Sequence, residues 1–154
     1  MAVHLFDSSA IVKRYSRETG TAWVRTLTDP TSSNIIYLAR ITEVEVVCAI
    51  SRQAKKGSIS ATDAASAITR FCGEFASRYK VVEITSSLTW QAMQQTQKHH
   101  LRAYDAVQLA AALQVNNECL ALGISSFMLI SSDIALNTAA TAEGLAVDDP
   151  NNHP

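Results

Sequence analysis

Short apolar runs alternate with longer helical patterns along this chain, and few folds accept that alternation. Val3–Phe6, Asn34–Leu38, Lys80–Ile84, Phe127–Ile130 and Leu145–Val147 each read as a short strand. They are mostly apolar, as strands covered on both faces are. Between them lie segments with helical spacing: Ser9–Arg17, Thr21–Leu27, Thr42–Lys55, a long helix from Ser60 to about Tyr79, Ser86–His99, Ala103–Val115 and Ile134–Glu143. Ser60 is placed as an N-cap, and Gly57 and Gly144 as C-caps. No two strands are adjacent in sequence, which argues against a hairpin-based α+β domain. The expected class is α/β, with a central parallel sheet of four or five strands covered on both faces. The chain has 154 residues, so one domain over residues 1–148 is expected, with 149–154 as a loose polar tail.

Composition narrows the function. Thirteen Lys and Arg face fourteen Asp and Glu, for a net charge of −1, which excludes a protein that coats nucleic acid by bulk charge. No apolar run is long enough to span a bilayer, and the N-terminus does not read as a signal peptide. Cys48, Cys72 and Cys119 are scattered, odd in number and without CxxC spacing, so they read as buried thiols rather than a zinc or disulfide framework. A cytoplasmic location and no membrane partner are expected.

In an open parallel sheet the ligand site lies beyond the carboxyl ends of the strands. Asp7 ends the first strand, and Asp133 follows the fourth. Each alone would be an ordinary N-cap. Asp105 falls in an apolar stripe with Leu101, Leu109 and Ala112, where a carboxylate is costly unless it is paired or binds a metal. Glu43 and Glu45 share the segment Ile41–Ile50, and periodicity does not choose between them. Converging carboxylates without Cys or His make a hard oxygen site suited to Mg²⁺ or Mn²⁺. Such a site reads as metal-assisted phosphodiester hydrolysis. Removing four site acids leaves ten acidic residues against thirteen basic ones, a balance compatible with a modestly basic rim.

Four stretches occur in an order that resembles the PIN-domain family, and within it the VapC-type toxins of bacterial toxin–antitoxin pairs. They are Phe6-Asp7-Ser8-Ser9-Ala10-Ile11-Val12-Lys13-Arg14-Tyr15, Ile41-Thr42-Glu43-Val44-Glu45-Val46, Tyr104-Asp105-Ala106-Val107-Gln108-Leu109-Ala110 and Ser131-Ser132-Asp133-Ile134-Ala135-Leu136. The final Glu143-Gly144-Leu145-Ala146-Val147 also fits. The resemblance implies a three-layer α/β/α sandwich and Mg²⁺- or Mn²⁺-dependent cleavage of RNA. It also implies a homodimer and a cognate antitoxin. It assigns the catalytic and metal-binding acids to Asp7, Glu45, Asp105 and Asp133, because the family's helix Glu stands three residues after the Thr, here Thr42. Ser9 and Ser131 match hydroxyl residues that orient ligands. Arg102, three residues before Asp105, is the basic residue suited to substrate or acid pairing. The stretch Asn116–Ser126 is longer than in the shortest members and is expected to alter the local loop.

Other features carry less. His99 and His100 are adjacent on a helix and point about 100° apart, so they read as a helix-end surface pair. Lys13, Arg14 and Arg17, with Arg52, Lys55 and Lys56, are either a solvated face or phosphate contacts. Trp23, Trp90 and Tyr79 read as core or interface residues. A receiver domain needs paired acids at the first strand and a Lys after the last strand, and a haloacid-dehalogenase phosphatase needs Asp-x-Asp; Asp7-Ser8-Ser9 meets neither. The alternative to the nuclease is a degenerate domain of the same family that binds a partner or RNA without catalysis.

Overall fold

The computed structural model describes all 154 residues. Its strands are β1 (Val3–Phe6), β2 (Ile35–Ala39), β3 (Lys80–Val82), β4 (Phe127–Ile130) and β5 (Val147–Asp148). Its helices are α1 (Ser8–Tyr15), α2 (Thr21–Leu27), α3 (Thr42–Lys55), α4 (Ala61–Ser77), α5 (Ser86–His99), α6 (Ala103–Ala121) and α7 (Ile134–Ala142). The five strands form one sheet in the order β3-β2-β1-β4-β5, and every pairing is parallel. The chain builds outward from β1 to β3, then crosses to the other side of β1. The switch point of the topology therefore lies between β1 and β4.

Strand periodicity divides the core into two layers. Val3 and Leu5 of β1, with Phe127 and Leu129 of β4, face α5, α6 and α7. Phe6 and Ile130 face the opposite layer, against Ile11, Val46, Ile50, Phe71 and Phe75 of α1, α3 and α4. Each fully buried Leu, Ile or Phe contributes about 1.5–3 kcal/mol, so both faces anchor their helices firmly. No helix is long and apolar enough to cross a membrane.

Several expectations change. The Asn116–Ser126 stretch is not an extended loop: α6 continues to Ala121 because Val115 and Cys119, four apart, carry its buried stripe past the polar Asn116-Asn117-Glu118. The third strand stops at Val82, and the last is displaced to Val147–Asp148. Residues 149–154 are not loose. Pro150–Asn152 form a 3₁₀ turn, Pro150 is buried, and the His153 ring stacks on Trp23 at 4.0 Å. Gly20, at φ +84°, makes the docking possible, since a Cβ there would lie 2.3 Å from the Pro150 carbonyl oxygen. Of the cysteines only Cys119 is buried; Cys48 is half-buried and Cys72 is exposed, because it falls on the solvent face of α4.

Candidate active site

Four helix N-termini meet at the carboxyl edge of the sheet, and each brings one acid. Asp7 caps α1, its Oδ1 accepting from the Ala10 N–H at 3.1 Å. Asp133 caps α7 through the Leu136 N–H at 2.8 Å. Glu45 lies in the first turn of α3 and Asp105 in the first turn of α6. The positive end of each helix dipole thus faces a carboxylate. α6 begins at Ala103, where the sequence places it, so Leu101 of the expected stripe lies outside the helix and Asp105 is half-buried in its first turn.

The β1 and β4 ends are tied together. The Asp7 N–H donates to the Ile130 carbonyl at 3.1 Å, extending the ladder by one residue. Ser9 Oγ donates to Asp7 Oδ1 at 2.7 Å and accepts from the Ser132 N–H at 2.9 Å. Ser131 Oγ accepts from the Asp133 N–H at 3.0 Å, and the Ser131 side chain also lowers the proton affinity of Asp7. Ser9 and Ser131 thus join the first acid to the last.

Burial shapes the electrostatics. Asp7 is 3% exposed, and desolvation pushes its pKa up to about 7, against the lowering effect of its hydrogen bonds; the Glu45 charge adds to the rise. The Glu45 pKa is also raised, first by burial and then by the Asp105 charge. The Asp105 pKa is raised by burial and by Asp133, and Arg102 opposes the shift. The acids are therefore electrostatic neighbours in series from Asp7 to Asp133. They do not close on a single point: no three Asp, Glu, His or Cys side chains stand within reach of one ion. Like charges repel, and Asp7, Glu45 and Asp133 are each held by donors of their own. The donor set is nevertheless all oxygen, as a hard divalent ion requires. Two buried polar atoms beside it, Gln108 Oε1 and Ser132 Oγ, lack any partner.

The acids of α3 are now distinguished. Glu43 is bound to Arg40 at 3.0 Å on the surface. Glu45 Oε1 accepts from Gln108 Nε2 at 2.8 Å. Gln108 was missed in the sequence; its signal was a lone polar residue inside the apolar run Ala106–Leu113. A groove of 470 Å³ opens beside Glu45, lined by Ser8, Ile41, Val44, Arg52 and Tyr104 among others. Val44 and Tyr104 there are exposed.

Most of the expected phosphate contacts are absorbed elsewhere. Lys13 and Arg14 are buried and paired with Glu18 and Glu74. Arg17, Lys55 and Lys56 are exposed. His99 binds Glu143 at 2.6 Å while His100, at φ 56°, closes α5, so the two share no ion. Tyr79 is in the core, and Trp90 is exposed on α5.

A family model described as PIN domain matches residues 5–133, from just before Asp7 to Asp133 itself. The chain belongs to the PIN-domain family. Within the PIN family it is 30% identical over 147 residues to Ribonuclease VapC45 and Ribonuclease VapC49, from two strains of Mycobacterium tuberculosis. Those alignments cover 96% of this chain and 95% of each relative. The fold is shared with PAE2754 from Pyrobaculum aerophilum (TM-score 0.64, 16% identity, 98% of this chain and 91% of that one). It is shared also with VapBC2 from Rickettsia felis, solved bound to a DNA fragment from its promoter (TM-score 0.61, 13% identity, 96% and 98%). These two confirm the three-layer PIN architecture.

Proposed function

We propose that this PIN-domain chain is a divalent-metal-dependent endoribonuclease, the toxin of a toxin–antitoxin pair. The observation that carries the reading is the meeting of four acids at four helix N-termini, at the switch point of a sheet whose sequence relatives are ribonucleases. Asp7, Glu45, Asp105 and Asp133 would hold Mg²⁺ or Mn²⁺. Such an ion supplies Lewis-acid polarisation of water and a counter-charge for the phosphodiester.

The chain's own groups supply the rest. Ser9 and Ser131 hold Asp7 and the Asp133 turn at a fixed separation. Asp7 or Asp105 takes the proton of the attacking water. Arg102, whose charge acts on Asp105, and Arg52, which shares the groove with Glu45, meet the RNA backbone. The exposed apolar residues Val44 and Tyr104 on the groove, with Trp90 and Met93 on α5, supply surface for an antitoxin and for a second copy of the chain. A cytoplasmic setting suits a toxin acting on RNA.

The test is RNA cleavage by the full chain in metal-stripped buffer with added Mg²⁺ or Mn²⁺, alongside anomalous diffraction from Mn²⁺-soaked crystals. Metal-dependent cleavage and a peak among Asp7, Glu45, Asp105 and Asp133 are expected. No peak and no cleavage at millimolar Mn²⁺ would favour a binding module without catalysis.

A further inference from the structure

One uncharged amide is buried in the apolar face of α6. Gln108 is 1% exposed and lies among Ala106, Leu109 and Ala111, where an unpaired amide is costly. Its Nε2 donates to Thr42 Oγ1 at 2.9 Å and to Glu45 Oε1 at 2.8 Å. An ionised carboxylate only accepts, so the nitrogen and not the oxygen of the amide must face Glu45. That fixes the orientation of the amide and leaves Gln108 Oε1 without a partner. Gln108 also stands three residues after Asp105, on the same side of α6. One turn of α6 therefore contributes an acid of the site and a clamp on another.

We propose that Gln108 is a positioning residue: its amide locks Glu45 against Thr42 and thereby selects Glu45, rather than Glu43, as the α3 acid of the site. The proposal rests on the metal-dependent nuclease reading above. A glutamate side chain is flexible and loses rotamer freedom when held. The groove beside Glu45 also contains Arg52, a competing partner for a carboxylate that swings outward. Glu43 cannot substitute, because Arg40 holds it on the surface. The amide thus does for Glu45 what Ser9 does for Asp7.

The test is calorimetric titration of Mn²⁺ into the metal-free full chain, with melting followed in parallel in EDTA. Gln108→Met keeps the length and removes the donors. It is expected to weaken Mn²⁺ binding by about 10–100-fold, the usual effect of losing a hydrogen bond to a ligating carboxylate, with melting shifted only slightly. In a Glu45→Gln background the same change should have no further effect on affinity, and Glu43→Gln alone should match wild type. Wild-type affinity in Gln108→Met, or an equal loss in both backgrounds, would overturn the proposal. Should Gln108→Met fail to fold, Thr42→Val removes the other anchor of the amide. It is expected to weaken Mn²⁺ binding in the same direction, and unchanged affinity would overturn the proposal equally. Absence of Mn²⁺ binding by the wild-type chain would instead defeat the nuclease reading and the Gln108 role with it.

Discussion

Asp7 is in an environment that resists its charge. Its folded-state pKa of about 7 lies well above the unfolded value near 3.9. Between those values the folded chain keeps a proton that the unfolded chain releases, so the Asp7 contribution to stability declines as pH rises from about 4. Above about pH 7 the full cost is present, with an upper bound of about 4 kcal/mol for three pH units. Asn caps a helix about as well as Asp and does not ionise. Asp7→Asn is therefore expected to abolish RNA cleavage and yet to melt higher than wild type in EDTA at pH 8, with the difference vanishing near pH 4. A lower melting temperature at pH 8 would show that the buried charge is not under stress. The same residue marks what was legible. Asp7 and Asp133 stand out in the sequence because strand ends locate them, and Asp105 because it interrupts an apolar stripe. The choice of Glu45 over Glu43 depends on Gln108, 63 residues away, and on Arg40 reaching across to Glu83. No local period encodes either contact.

Among the elements, α4 is tied to α1 by a largely buried ion pair. Its Glu74 receives a paired contact from Arg14 of α1, at 2.8 and 3.0 Å, and lies within 3.0 Å of Arg78 at the helix end. The Arg14 side chain is 5% exposed and that of Glu74 17%. The Glu74 pKa is held well below the usual carboxylate range by Arg14, Tyr15 and Arg78, against the opposing effect of burial. Its stabilisation is complete above the unfolded pKa near 4.3 and fades as pH falls below it. Removing one partner of such a pair strands the other charge in the interior. Glu74→Gln is expected to cost about 3 kcal/mol at pH 7. That corresponds to a melting point lower by roughly 6–12 °C for a chain of this size. The gap from wild type should narrow on acidification to pH 3. A gap independent of pH would assign the effect to packing rather than charge. The element pattern itself was largely readable, since β1 and β4 fall where the apolar runs do. The errors were at ends held by distant contacts: α6 runs on because Cys119 buries, and the C-terminal turn docks because Trp23 and Gly20 receive it.

At the scale of the whole molecule, the near-zero net charge conceals how few cations are free. Six of the thirteen basic side chains are in ion pairs with carboxylates: Lys13, Arg14, Arg40, Arg70, Arg78 and Lys98. Seven remain: Arg17, Arg25, Arg52, Lys55, Lys56, Lys80 and Arg102. Lys80 begins β3, at the sheet edge opposite the acids, and Arg25 lies on α2 away from them. Arg52 and Arg102 flank the acid site, with Lys55 at the end of α3 and Lys56 as its C-cap. RNA that reaches the site therefore meets only a few cations, and each neutralised phosphate of a single strand adds about 0.7 to the salt slope. For two to four contacts, log affinity should fall against log salt with a slope between about −1.4 and −2.8. The measurement is fluorescence anisotropy of single-stranded RNA with the Asp7→Asn chain, expected not to cleave, over a KCl series at fixed Mg²⁺. A slope steeper than about −5 would mean that a far larger basic surface, such as one formed across two copies, engages the RNA. A shallow slope would leave recognition to the acid pocket and its two flanking arginines, and Arg102→Ala should then remove about one phosphate's share of it.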